Sequence, residues 1–198
     1  EYEFGEGSFT VLGPTQIRDD SNNNSVVVRL DYGDTSFLFT GDAESKEEKD
    51  IIAANEDLDC DVLSVGHHGS ASSTSWDFLE QVLPEYAVIS CGVNNSYGHP
   101  DPDTIEKLES IEAQIFRTDL QGNIIAISDG ETITWNNVPS NGEVLYAADF
   151  VSVKEEPNDT SSTVGELGPG NQIQVLNRDD NGWATIVFNG ATTYIPSS

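Results

Sequence analysis

A chain of 198 residues with 36% hydrophobic content is long enough for one medium domain and a small one, and too apolar to be globally disordered. No stretch approaches the ~20 apolar residues that span a bilayer, and no secretory apolar core stands at the start, so no membrane span is expected in this chain. Thirty-five acidic against eight basic residues give a net charge of −27, which disfavours unaided binding to nucleic acids and suits a soluble protein of a salty, extracytoplasmic or secreted setting.

The acidity is no tail: 27 acidic and 6 basic residues precede Val138, and 8 acidic and 2 basic follow it. Methionine is absent and the first residue is Glu1, the expectation for a processed product or an excised fragment. Cys60 precedes an apolar strand and Cys91 ends one, so both are expected as buried free thiols rather than a disulfide framework.

In chain order, residues 9–12 read as a short strand closed by Gly13-Pro14, and Asn22-Asn23-Asn24 as turn material. Residues 26–30 and 37–40 form a hairpin about Tyr32-Gly33-Asp34-Thr35. A helix over 43–55 leads to a strand at 62–65, a helix at 75–83, a strand at 86–90 and a helix at 102–111. Strands near 114–117, 123–128 and 132–135 close this segment. The alternation predicts an α/β domain whose parallel strands are joined by right-handed crossovers, with ligands at the carboxyl edge of the sheet.

After Trp135 the pattern changes. Residues 138–142 read as a linker, and short strands at 150–153, 164–167, 173–176, 183–188 and 192–195 follow without helical periodicity. Gly165, Gly168, Gly170, Gly182 and Gly190 punctuate them, the pattern of a small all-β barrel. The predicted organisation is a domain over 1–137, a linker over 138–142 and a second domain over 143–198.

Chemistry gathers where the parallel strands end. Residues 37–40 run into Gly41-Asp42, 62–65 into Gly66-His67-His68-Gly69-Ser70, and 87–90 into Cys91-Gly92, with Tyr97-Gly98-His99-Pro100 soon after. The chain has three histidines, and all fall there. One carboxylate and several imidazoles on one edge suit a borderline metal such as zinc or manganese. Taken singly, Gly-Asp after a strand is commonly a turn or cap, and a lone histidine is usually structural; the joint pattern outweighs both.

These motifs, with Phe39-Thr40-Gly41-Asp42-Ala43-Glu44 and Arg117-Thr118-Asp119-Leu120-Gln121-Gly122, resemble the metallo-β-lactamase domain of ComEC-type DNA-uptake proteins, and more distantly the phosphorylcholine esterases of that superfamily. The resemblance covers roughly residues 1–135 and implies the C-terminal half of an α/β sandwich with a two-metal zinc or manganese site. It implies Asp42 as the bridging carboxylate and His68 as a metal ligand, with His67 and His99 acting on the substrate phosphate and Asp119 orienting a ligand. The superfamily's His-x-His-x-Asp-His signature is absent from the chain, and Asn22, Asn23 and Asn24 stand where a further ligand histidine is usual. The implied partners are therefore the missing N-terminal half of the domain and a phosphodiester, either a small molecule or DNA, with hydrolysis expected to be inactive in this chain alone. Residues 143–198 resemble a bacterial SH3-like domain, which implies a cell-wall peptide or glycan partner contacted through Trp183 and Tyr194, with Trp183 as a filler of the barrel core an equal alternative. The alternative from another class is a non-catalytic binding or scaffolding module with a vestigial hydrolase half, targeted to the cell envelope by the SH3-like domain.

Overall fold

The structure, a computed structural model, describes residues 2–55, 57–137, 139–141, 143–179, 181–188 and 191–196. It divides into two compact units: Glu1–Asp119 with Asn123–Asn136, and Leu120–Gly122 with Asn137–Ser198.

The first unit is built on one seven-stranded sheet whose strands lie in sequence order: β1 (Tyr2–Phe4), β2 (Gly7–Gly13), β3 (Val27–Tyr32), β4 (Thr35–Phe39), β5 (Val62–Ser64), β6 (Tyr86–Ile89) and β7 (Gln114–Arg117). Pairing is antiparallel from β1 to β4 and parallel from β4 to β7. The three crossovers hold α1 (Ser45–Ala54), α2 (Trp76–Val82) and α3 (Pro102–Ser110). Helix ends differ from expectation by one or two residues for local reasons. The Ala43 N–H bonds back to Thr40 O at 3.1 Å and closes a turn, so α1 starts later than residue 43. Ser75 caps α2 by accepting from Phe78 N, and Asp101 caps α3 with Pro102 at its first position. Strand β1 was not foreseen; its three exposed residues, Tyr2-Glu3-Phe4, are too short a run to signal a strand, and they are held by pairing to β2 and by the Tyr2 and Phe4 rings against Phe9.

The parallel strands are apolar on both faces, as parallel strands generally are. Leu38, Leu63, Ala87 and Ile115 stand in register across β4–β7 and pack against Ile51 of α1, Phe78, Leu79 and Val82 of α2, and Leu108 of α3. On the other face lie Phe37, Phe39, Val62, Val88 and Phe116. Trp135, from the hairpin of β8 (Ala126–Ser128) and β9 (Ile133–Trp135), stacks on Phe116 with ring centroids 4.2 Å apart. The rest of that face, with Leu30, Tyr32 and Phe4, forms an open apolar groove of about 490 Å³.

The second unit is a six-stranded antiparallel sheet in the order β10-β13-β14-β15-β11-β12, from β10 (Glu143–Tyr146), β11 (Val151–Lys154), β12 (Thr163–Leu167), β13 (Gln172–Arg178), β14 (Trp183–Phe188) and β15 (Ala191–Pro196). Val153, Leu167, Ile173, Val175, Ala184, Ile186 and Ile195 form its core. Trp183 alternates with Ala184 and stays out of that core; Thr185 pairs with Tyr194, so Trp183 and Tyr194 are diagonal neighbours on the same face. Strand β10 was not foreseen. Val138 and Gly142 of the expected linker, and Gly190 of the punctuating glycines, lie outside the described residues.

Cys60 is buried as expected, whereas Cys91 is half-buried at the edge of the core. Burial pushes the Cys60 thiol up to about 12, and burial together with the Asp119 carboxylate pushes Cys91 up to about 11. Helix α1 buries two carboxyls. Glu48 accepts from Ser75 N at 3.0 Å and from Thr74 N, but neither Glu47 oxygen has a hydrogen-bond partner. Desolvation, reinforced by Asp50 and Glu48 and opposed by Arg18 and the Ser25 backbone, pushes the Glu47 carboxyl from 4.5 up to about 7. Between those values the folded chain keeps a proton that the unfolded chain has released, so this group's contribution to stability falls as pH rises through the window. Glu47→Gln, which does not titrate, is expected to gain about 1–3 kcal/mol on the parent between acid and neutral pH. Urea unfolding of both proteins on either side of the window checks this, and a pH-independent difference contradicts it.

Candidate functional site

The in-register parallel pairing of β4, β5 and β6 brings three strand ends to one sheet edge. After β4 the backbone turns at Gly41, whose φ of +57° favours glycine, and a Cβ there would meet Ser25 Cβ at 3.2 Å. Asp42 N donates to Ser25 Oγ at 3.1 Å, which fixes the residue that carries the carboxylate. After β5, His67 and His68 take φ values of 47° and 59°, two successive non-glycine residues in the left-handed region, at a cost of about 1–2 kcal/mol each. The turn is tied down by His67 N donating to Gly41 O at 2.9 Å and Ser70 N to His67 O at 3.0 Å. Gly69, at φ +81°, lets Pro100 approach where a Cβ would lie 2.7 Å from it.

The result is a directed histidine–carboxylate pair. His68 Nδ1 lies 2.7 Å from the Ser90 carbonyl oxygen. A carbonyl only accepts, so Nδ1 carries the proton and the neutral ring keeps its lone pair at Nε2. That Nε2 lies 3.6 Å from Asp42 Oδ1, and both side chains are about half exposed. Two ligands of one tetrahedral metal at ~2.1 Å each sit roughly 3.4 Å apart. Asp42 and His68 therefore fit two positions of a zinc-like coordination sphere. Among the described residues no group of three or more His, Cys, Asp or Glu side chains is arranged to hold a metal.

His67 and His99 stand beside this pair. The His67 ring centroid lies 6.2 Å from that of His68 and 5.7 Å from that of His99, and His99 stacks on Tyr97 at 5.8 Å. Asn95 braces the loop that carries them, donating to Gly92 O at 3.0 Å and accepting from His99 N at 3.0 Å. A cleft of about 310 Å³ opens between His68, Ser90, Cys91, Asn95, Tyr97 and His99. The larger apolar groove lies on the face of the sheet, with no histidine in its lining.

Asp119 is engaged by Arg117. Its carboxylate takes Arg117 Nη2 at 2.7 Å and Arg117 Nε at 3.1 Å. Burial raises its pKa, but Arg117 and the Cys91 thiol outweigh burial and hold it below the usual carboxylate range. No hydrogen bond joins it to a histidine. Sequence reasoning also missed Glu44, which lies 3.3 Å from His67 Nδ1. Its signal was a second carboxylate two residues after Asp42 on the same strand-end turn. Asn22 and Asn23 donate their amides to Glu44.

Residues 5–93 match the family described as the Metallo-beta-lactamase superfamily. The chain is 38% identical over 117 residues to ComE operon protein 3 of Bacillus subtilis (strain 168), a stretch that covers 59% of this chain and 15% of that protein. It is 38% identical over 116 residues to Competence protein ComA of Neisseria gonorrhoeae, covering 58% of this chain and 17% of the relative. It is 40% identical over 118 residues to Recombination protein 2 of Haemophilus influenzae, covering 59% and 15%. The chain thus spans 17% or less of the length of each of these relatives.

Two well-placed ligands predict weak zinc binding, worth roughly half the ~10–16 kcal/mol of a structural zinc-finger site, hence micromolar to millimolar dissociation constants. Asp42→Ala or His68→Ala is expected to weaken it by about tenfold or more, as read by calorimetry at high salt to suppress loose binding to surface carboxylates. Equal affinity in both variants and the parent contradicts the assignment.

Proposed function

We propose that this chain supplies part of the site of a metal-dependent hydrolase of the metallo-β-lactamase type that cleaves phosphodiester bonds. The observation that carries the reading is the His68–Asp42 pair, with His68 Nδ1 2.7 Å from the Ser90 carbonyl oxygen and its Nε2 3.6 Å from Asp42 Oδ1. Zinc or manganese bound there would make a nucleophilic water available near neutral pH and polarise a phosphoryl oxygen. The chain's own contribution is to hold Asp42 and His68 as ligands and to place His67 and His99 where a phosphate gains charge in the transition state. Two histidines beyond the ligand pair suit a phosphodiester better than a β-lactam.

The remaining ligands are assigned to a segment bearing His-x-His-x-Asp-His, the missing N-terminal half of the domain. The apolar groove over Leu30, Phe37, Phe39, Val62 and Val88 favours this, because a parallel sheet apolar on both faces is stable only when both are covered. Among phosphodiesters, the similarity to a competence protein and a recombination protein leans toward DNA. The charge of −27 leans toward a smaller substrate or one delivered by another surface. The six-stranded unit is read as an SH3-like targeting domain whose outer face, with Trp183 and Tyr194, takes a cell-wall peptide or glycan. A second reading, a binding or scaffolding module without catalysis, is favoured by the lack of a third metal ligand among the described residues.

The 198-residue chain with zinc or manganese is expected to hydrolyse a chromogenic phosphodiester at near background rates. Joined to a segment carrying the His-x-His-x-Asp-His signature, it is expected to turn over. There, Asp42→Ala or His68→Ala should each lower kcat by more than about 100-fold, beyond the 10–100-fold typical of residues that only support a ligand. Robust, chelator-sensitive turnover by the chain alone would mean that other residues form the site; an inactive joined protein would favour the scaffolding reading.

A further inference from the structure

We infer that Glu44 is a positioning residue for His67: it holds the imidazole with Nδ1 protonated, so that Nε2 is the nitrogen left for the substrate. The inference deepens the hydrolase reading and rests on it for its meaning, but the hydrogen bonding argues it separately.

Glu44 is the hub of a converging network. Its Oε1 accepts from Ser72 Oγ at 3.0 Å and from Asn22 Nδ2 at 3.1 Å, and lies 3.3 Å from His67 Nδ1; its Oε2 accepts from Asn23 Nδ2 at 3.3 Å. His67 Nδ1 also lies 3.3 Å from Ser72 Oγ. The Ser72 hydroxyl has one proton, and it goes to Glu44; the Ser70 hydroxyl, 3.0 Å from Ser72 Oγ, donates in turn. Every proton in the chain Ser70–Ser72–Glu44 thus runs toward the carboxylate. Nothing in it is left to donate to His67 Nδ1, and an ionised carboxylate can only accept. Hydrogen-bond accounting admits one arrangement: Nδ1 carries a proton shared between Glu44 and Ser72.

Asn22 and Asn23 give the carboxylate its orientation. Asn23 is buried in the 3₁₀ turn Asn22–Asn24, with its Oδ1 taken by Glu47 N at 3.1 Å, and its amide donates to Asp20 Oδ2 at 2.6 Å as well as to Glu44. Glu44 itself ends the extended segment before α1, and the Glu47 and Glu48 N–H groups bond its carbonyl at 2.9 and 3.0 Å. The ring it holds belongs to a residue in the left-handed region, where local backbone preference gives little help. His67 and His68 are then both Nδ1–H tautomers, one set by a carboxylate and one by a carbonyl, and both present Nε2. A partner carboxylate that sets tautomer and ring orientation is the usual support for a working histidine.

The test is long-range 1H–15N correlation of the imidazole nitrogens at neutral pH, in the 198-residue chain with chelator present, so that neither turnover nor metal enters. The parent is expected to show His67 with a pyridine-type Nε2 and a protonated Nδ1. Glu44→Leu, which removes the acceptor and frees the Ser72 proton for Nδ1, should move His67 toward the Nε2–H form while His68, bonded to Ser90 O, stays as it was. Ser72→Ala should leave the His67 tautomer in place. His67 as Nε2–H in the parent overturns the inference without any variant, and so does an unchanged His67 tautomer in a folded Glu44→Leu protein. If the joined protein fails to hydrolyse phosphodiesters while these spectra come out as expected, the hydrolase reading falls and the positioning of His67 stands.

Discussion

The parallel, in-register pairing of β4, β5 and β6 is the constraint on which the site depends. Phe37, Val62 and Tyr86 form one row across the sheet, and Phe39, Ser64 and Val88 the next. Each strand therefore ends at the same level, and the three turns that follow meet at one edge. A slip by one residue in β5 would exchange its two faces and take His67 and His68 away from Asp42 and Ser90. The apolar contacts that prevent a slip, Leu38 and Leu63 against Phe78 and Leu79, lie on the helical face, away from the chemistry. Packing there fixes a polar geometry that the polar residues could not hold by themselves.

At that edge the polar groups are ordered by what each can donate. Ser90 offers only a carbonyl and Glu44 only a carboxylate, and each leaves its histidine one arrangement. The two imidazoles thereby become directional without any metal contact. The exposed acidity of the chain is of a different kind. Surface carboxylates act through a screened, diffuse field, whereas Glu44 and Glu48 act through named hydrogen-bond donors and Asp42 faces His68 Nε2 at 3.6 Å.

Much of this was legible in the sequence because it depends on short-range pattern. Apolar tetrads running into Gly41-Asp42, Gly66-His67-His68 and Cys91-Gly92 signal strands that end at a ligand edge, and the alternation with helices signals parallel order. What was illegible depends on partners distant in sequence. Glu44 draws its meaning from Asn22, Asn23 and Ser72, and no local pattern marks those contacts. The Asp119 motif gave no sign that Arg117, two residues earlier, bonds both of its oxygens. Strand β1, three residues long, depends on its pairing to β2 and on the Tyr2 and Phe4 rings meeting Phe9. The tautomers of His67 and His68 follow from acceptors that only the fold brings into place.

The central claim is that Asp42 and His68 form one coordinating pair, and anomalous scattering at the zinc edge from zinc-soaked crystals of the chain tests it most directly. The account predicts a peak between Asp42 Oδ1 and His68 Nε2, about 2.0–2.2 Å from each, with the His68 ring still bonded through Nδ1 to Ser90 O. Zinc found only on scattered surface carboxylates, with Asp42 and His68 unliganded in well-ordered density, would contradict it.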